Sequence, residues 1–503
     1  MNKIYQYIMI GAVAVSLSSC GNDWLDLEPS TSVISKVESK AEVNATLNGI
    51  YSTMQSSSAY SGRLVYYGDL TGDDMQAVSS TKRTASAYLY GFTKSNVQSS
   101  YWSYPYNIIQ NCNVILANVD NIAVTDEDEK EQMNDYKGQA LALRGMSLFD
   151  LTKLFGYPYT YDNGASLGAC IVTDVVDKGY MPQRSTVAEC YVQIIKDLEA
   201  SVDLLGEDFN KGKINKWAAL TLLSRVYLYH GDNAKALEAA EKAIKGAEQN
   251  GYQLWSNEEY ATAWGNDVSA ATTNKGEVLF EIINLTTDSP GKESIGYLYS
   301  PGGYADACVT ASFYNYLSQD KNDVRLKIIN IATKKQGYSS SIYDRGYVNK
   351  YQPQQGENAE DANIPLIRLS EAYLNAAEAA AKLTAAGNDH NADAAKYLNA
   401  IVNRANPAKS VDASKTITLD EVLEERRKEL VGEGHRMFDL LRNGKLIERK
   451  SETNKTLSKT KHTCSDEFMT IGKGQDNFYK IVLPIPTAER NVSHLTNNPG
   501  YGE

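Results

Sequence analysis

The stretch Leu220-Thr221-Leu222-Leu223-Ser224-Arg225-Val226-Tyr227-Leu228-Tyr229-His230-Gly231-Asp232-Asn233-Ala234-Lys235-Ala236-Leu237-Glu238-Ala239-Ala240-Glu241-Lys242-Ala243 decides the fold. Apolar or small residues recur at Leu220, Leu223, Ser224 and Tyr227, and again at Ala236, Ala240 and Ala243. Steps of three and four put each set on one face of a helix, with Gly231-Asp232 at the turn between them. The small residues of the second helix let it lie close against the first. A single unit of this kind cannot cover its own apolar face, so further helix pairs are expected to stack on it.

Working outward, the repeat resembles a tetratricopeptide unit, and weaker helical pairs are read at residues 42–54 with 102–118, 131–155 with 187–205, and 367–383 with 392–405. Capping boxes mark three helix starts: Ser39-Lys40-Ala41-Glu42, Thr186-Val187-Ala188-Glu189 and Thr418-Leu419-Asp420-Glu421. In each, a hydroxyl and a carboxylate satisfy first-turn N–H groups. The acidic run Thr125-Asp126-Glu127-Asp128-Glu129 suits the positive end of another helix. Between the helices lie long polar, glycine-containing insertions rich in aromatics, at 56–92, 252–310 and 336–362. Short strands fit there, and such segments on a rigid scaffold are where binding surfaces form.

The chain has 503 residues, 42% of them hydrophobic and 22% charged, and a net charge of −12. This is ordinary globular composition, and an acidic chain without a dense basic stripe is ill suited to nucleic acid. At the N-terminus, Lys3 precedes the apolar run Ile8 to Leu17, which is far short of the roughly 20 residues that span a bilayer. Leu17-Ser18-Ser19-Cys20 closes it like a lipobox, so residues 1–19 read as a lipoprotein signal, Cys20 as the lipidated first residue and 20–38 as a tether. The remaining cysteines, Cys112, Cys170, Cys190, Cys308 and Cys464, form neither a disulfide framework nor a metal motif, and no zinc site is expected.

Four segments carry a wider resemblance. They are Cys20-Gly21-Asn22-Asp23-Trp24-Leu25-Asp26-Leu27-Glu28-Pro29; Ala142-Leu143-Arg144-Gly145 through Leu154-Phe155-Gly156-Tyr157-Pro158, coupled to Tyr191 and Asp197-Leu198-Glu199-Ala200; Arg426-Arg427-Lys428-Glu429-Leu430 with Glu433-Gly434-His435-Arg436-Met437-Phe438-Asp439-Leu440 and Arg442; and Leu483-Pro484-Ile485-Pro486 with Asn498-Pro499-Gly500-Tyr501. In this order and spacing they resemble the SusD/RagB family of outer-membrane nutrient-uptake lipoproteins. The resemblance implies a mainly α fold of about four tetratricopeptide-like helix pairs in a superhelix, with a loop-rich, irregular ligand-binding part, residues 39–503 forming one domain. It also implies lipid anchoring on the cell surface of the outer membrane, and a SusC-like TonB-dependent β-barrel transporter over which the lipoprotein sits as a lid. Family members bind mostly oligosaccharides or polysaccharides, some bind peptides, and they are not enzymes.

Tyr 34 against Phe 9 and Trp 5 is the clearest functional signal. A tyrosine offers an apolar face for stacking and a hydroxyl for hydrogen bonding, which suits a sugar ring. On the loops where the resemblance places the ligand, the candidates are Tyr66, Tyr67, Asp73, Asp74, Arg83, Tyr88 and Tyr90, then Trp255, Trp264, Tyr297, Tyr299 and Tyr304, with Tyr343 and Tyr347 as later ones. Asp73, Asp74 and Arg83 would bond sugar hydroxyls. Trp102 reads as a packing residue. No cofactor is expected; no D-x-D-x-D-G loop is present, although scattered loop oxygens leave room for a Ca²⁺ ion.

Rival readings are a peptide-binding member of the same family, an outer-membrane assembly protein, and a secreted hydrolase. The hydrolase would use Ser166 of Gly164-Ala165-Ser166-Leu167-Gly168, or the pair Glu429 and Glu433. The first motif lacks the preceding buried strand that a nucleophile elbow needs. Arg426, Glu429, Glu433 and Arg436 fall on one face if a helix runs through Gly434, and alternating charge at that spacing reads as an ion-pair ladder. On that reading Glu433→Gln lowers the melting temperature and leaves ligand affinity intact.

Overall fold

The computed structural model describes residues 36–177, 179–207, 210–265, 275–353 and 359–502. The signal, Cys20 and most of the tether lie outside the described residues. The scaffold helices are α1 (Lys40–Gln55), α2 (Ser100–Asn118), α3 (Glu127–Phe155), α4 (Val187–Leu204), α5 (Lys216–His230), α6 (Asn233–Gln249), α7 (Leu369–Ala385) and α8 (Asn391–Ala405). Each packs against the next along the chain, so the pairs α1–α2, α3–α4, α5–α6 and α7–α8 stack into a tetratricopeptide-like superhelix.

The helix starts follow their local chemistry. Thr186 and Thr418 sit in full capping boxes with Glu189 and Glu421. At α1 the box is open: Ser39 accepts from Glu42 N–H, but the Glu42 carboxylate reaches back to Glu38 N–H at 2.7 Å instead. Asp126 caps α3, with Glu127, Asp128 and Glu129 in the first turn. Gly231, at φ 92°, ends α5 in the left-handed region that a side chain disfavours. Gly246 permits the close approach of α6 to α5, because a Cβ there would stand 2.0 Å from Trp217 Cζ3. The buried Ala236, Ala239, Ala240 and Ala243 of α6 play the same part along its length. Arg144 of α3 grips Asp197 of α4 through two hydrogen bonds of 2.8 and 2.7 Å. Trp102 is buried, edge-on to Phe155 at 4.9 Å.

The insertions carry the strands. β1 (Met75–Ala77), β3 (Ala307–Val309), β5 (Arg345–Val348) and β4 (Ile329–Ala332) form an antiparallel sheet in the order β1-β3-β5-β4. β2 (Val278–Ile282) pairs with β6 (Ile364–Arg368), and two-residue strands β7 (Ile447–Glu448) and β8 (Thr470–Ile471) pair near the C-terminus. Ile367 and Arg368, expected to open α7, close β6 instead; the helix begins at Leu369.

The two layers are joined by buried charge. Helix α9 (Leu419–Glu429) ends at Leu430, turns through Gly432 (φ 82°) and Gly434 (φ 85°), and resumes as α10 (Arg436–Arg442). The expected single face through Gly434 therefore does not form; left-handed glycines break it. Instead the charges spread over several neighbours, with Glu429 and Glu433 sharing Arg368. Glu429 meets Arg404 at 2.7 Å and Arg368 at 3.2 Å. Glu433 accepts from Lys350 at 2.5 Å and Arg368 at 2.7 Å. Arg426 bonds Asp439 at 2.7 Å and Asn375 of α7 at 2.7 Å. Arg442 bonds Glu378 of α7 at 2.6 Å, and Arg225 of α5 bonds Glu371 at 2.5 Å.

Removing one partner of such a desolvated pair strands the other charge, at a cost of about 3 kcal/mol or more. Glu433→Gln is expected to lower the urea midpoint accordingly. A second expectation concerns pH. Burial alone would raise the Glu371 pKa, but the Arg225 guanidinium overrides it and brings the carboxyl down to about 2. Glu378 is likewise held well below its usual range by Arg442 against its own burial. With folded values below the unfolded ~4.3, their stabilisation is present above that pH and lost as pH falls toward 2. Melting temperature measured from about pH 5 to about pH 2 should drop steeply over this window.

Candidate functional site

The accessible site is built on the four-stranded sheet. β1 runs out at Ala77, and Val78 N–H donates to Asp306 O at 3.0 Å, which brings the 79–84 turn beside the 300–306 turn. The Asp306 carboxylate is fully buried; Lys82 Nζ lies 3.1 Å from it, and Arg83 approaches through its backbone N–H at 3.3 Å and its guanidinium at 3.6 Å. So anchored, Arg83 holds its guanidinium carbon 3.8 Å from the Tyr304 ring centroid, and Nε donates to Glu293 at 3.1 Å. Burial tends to lower the Arg83 pKa, and the Glu293 carboxylate more than offsets this, so the group stays charged. Tyr297 stands edge-on to Tyr304 at 4.9 Å. Gly303 is required in the turn between them, since a Cβ there would sit 2.2 Å from Tyr297 O.

A second flank comes from the β4–β5 connection. Tyr338 and Ile342 pack on a small cluster of Val78, Ala305, Cys308, Ala332 and Tyr347. Tyr347 OH donates to Ile342 O at 3.0 Å. Beside them the Tyr343 ring carries Lys459 Nζ 3.4 Å from its centroid, and Lys459 also donates to Ser340 O at 2.8 Å. The surface thus offers half-buried tyrosines, one guanidinium with donors facing solvent, and the amines of Lys82 and Lys459.

Of the residues picked from sequence, Arg83, Tyr297 and Tyr304 converge here, with Tyr343 on the flank. The Arg83 side chain is 42% exposed. The others do not join them. Tyr347 is buried beneath the flank, and Tyr66, Tyr67, Tyr88, Tyr90, Tyr299, Trp255 and Trp264 are core residues. Tyr67 sits between Tyr101 and Phe438; Tyr88 and Tyr90 lie under the Arg449 guanidinium; Trp255 meets Trp264 at 4.9 Å, and Trp264 lies 4.7 Å from the Arg368 guanidinium carbon. Asp73 and Asp74 are also buried, taken up by Arg436 at 2.6 Å and Arg427 at 2.6 Å. They have no free oxygen face for a sugar. Sequence reading missed Lys82, Glu293, Asp306, Tyr338 and Lys459. Lys82, Glu293, Asp306 and Tyr338 lay within the named loops and Lys459 outside them; Asp306 and Lys459 gain their roles only through contacts across 223 and 119 residues.

Ser166 is not raised on a nucleophile elbow. Its N–H donates to Asp162 at 3.0 Å, a single helical turn at Tyr159–Asp162 precedes it, and the next helix opens only at Val187. Glu429 and Glu433 are buried among cations. Among the described residues no group of three or more His, Cys, Asp or Glu is placed to hold a metal ion, and no helix is long and apolar enough to cross a membrane.

A helical-repeat scaffold bearing a loop-built aromatic and cationic surface is a ligand-binding architecture. The model of the SusD family matches residues 246–501, and a second, described as starch-binding associating with outer membrane, matches 23–228. The chain belongs to the SusD family. It is 60% identical to a candidate sugar-binding protein of Bacteroides vulgatus, with a TM-score of 0.86 over 93% of this chain and 99% of that one. A SusD superfamily protein of the same organism gives 37% identity and a TM-score of 0.81, over 93% and 100% of the two chains. SusD-like protein P2 of Formosa agariphila is 26% identical over 92% of both.

The split between core and surface tyrosines predicts opposite effects of truncation. Tyr67→Ala is expected to cost about 3–5 kcal/mol of stability. Tyr304→Ala should leave thermal unfolding nearly unchanged, as differential scanning calorimetry would read directly.

Proposed function

We propose that the protein captures oligosaccharide or polysaccharide at the cell surface, without chemistry of its own, and delivers it to a partner TonB-dependent outer-membrane transporter. The observation that carries this reading is the convergence of Arg83, Tyr297 and Tyr304, from two separate insertions, on one accessible surface. A sugar's C–H face stacks on the tyrosines while its hydroxyls accept from the Arg83 guanidinium. Names among the relatives support a saccharide ligand: the starch-binding protein SusD of Bacteroides thetaiotaomicron, 33% identical over 28% of this chain, and a laminarin-binding SusD-like protein of the same fold. Anchoring through acyl chains on Cys20, partnership with a SusC-like barrel and closure over it as a lid complete the proposal and follow from the family resemblance.

Affinity electrophoresis of the full chain through gels containing plant, microbial and host polysaccharides is the test. Retardation by one glycan class is expected, abolished by Tyr304→Ala with Tyr297→Ala at an unchanged melting temperature. Binding to peptides with no glycan retarded would replace capture of sugars by capture of peptides.

A further inference from the structure

We propose that this surface selects acidic saccharides, those bearing carboxylate or sulfate groups, over neutral ones; the proposal rests on the glycan reading of the same site. The chain as a whole is strongly acidic, at −12. Its field therefore opposes the approach of a polyanion unless the binding surface carries the opposite sign. Around the site it does. The β4–β5 connection brings Lys334 and Lys335, Arg345 opens β5, and the segment 454–461, packed along them, brings Lys455, Lys459 and Lys461. The two pieces are stitched together: Arg345 donates to Lys459 O across 114 residues, and Lys459 N–H donates to Asp344 O at 3.4 Å.

The nearby carboxylates are already matched. Asp306 is buried against Lys82, Glu293 bonds Arg83, and Asp344 lies 3.8 Å from Lys459. Arg345 spends donors on the carbonyls of Ser341 and Lys459 rather than on an acid. Among the described residues Lys334, Lys335, Lys455 and Lys461 make no ion pair, and all four are exposed. Positive charge is left over on the two segments that carry Tyr338, Tyr343 and Lys459, and the first of these packs against Ala305, next to Tyr304 in the chain. The hydroxyls of a neutral sugar accept from such amines but gain no charge–charge attraction from them. A uronate or sulfate ester stacked on the tyrosines would place its anion among them, and an interaction of this kind weakens as salt screens it.

The test compares acidic polysaccharides, pectic, algal and host-type, with their own carboxyl-reduced or desulfated derivatives, by calorimetry on the full chain. An acidic member is expected to bind, with a loss of about tenfold or more on neutralising its charge or on raising NaCl from about 50 to about 500 mM. The variant Lys334→Glu, Lys335→Glu, Lys461→Glu should weaken that binding similarly while keeping the wild-type melting temperature. If only neutral glycans bind, or neutralised derivatives bind as tightly, the acidic preference falls and glycan capture stands. If no glycan binds but peptides do, glycan capture itself falls. Equal binding to anionic phospholipid vesicles, undiminished by Tyr304→Ala, would make this a membrane-facing surface and overturn the proposal.

Discussion

The interaction on which the rest of the molecule depends is the desolvated guanidinium–carboxylate lattice centred on α9 and α10. Glu429 is shared by Arg404 of α8, Arg368 at the end of β6 and Arg325, while Arg442 and Arg426 reach Glu378 and Asn375 of α7. On the other side Arg427 and Arg436 seize Asp74 and Asp73 just before β1. A single corner thus pins the last helix pair to the sheet that carries the ligand surface. Apolar contacts could hold these layers together equally well. Fixed hydrogen-bond geometry adds a defined register, because each fork donates to its carboxylate in only a few orientations.

That division of labour explains what could be read before folding. Helix periodicity, small residues at helix contacts and capping boxes are local signals, and the pairs inferred from them are present within a few residues. The exceptions have two kinds of cause: Ile367 and Arg368 pair with the distant strand β2 rather than opening α7, and Gly432 and Gly434 locally divert the ladder that spacing alone suggested. The site was less legible. Tyrosine serves a core as readily as a surface, and the sequence holds no mark that separates Tyr304 from Tyr299, five residues away and fully buried. Asp73 and Asp74 looked available because their guanidinium partners lie more than 350 residues downstream.

The positive rim illustrates the same limit from the opposite direction. Spread over two segments, Lys334 and Lys335 on one and Lys455 to Lys461 on the other, it is no stripe in the linear chain. Only the antiparallel closing of β4 on β5, with the 454–461 segment laid along them, turns scattered lysines into one field.

The bond from Arg436 to Asp73 spans 363 residues. Such a separation makes the order of assembly one-sided. The turn that presents Arg83 is seated on Asp306 and Glu293, but Asp73 and Asp74 just before it stay without their guanidinium partners until the chain around residues 427–436 has emerged and turned back onto them, and closing so large a loop is slow. The helical stack can mature as it is made, each pair on the one before it. The corner that joins the sheet to the last helix pair is therefore completed late, and a chain cut short before α10 would leave Asp73 without Arg436 and Glu378 of α7 without Arg442.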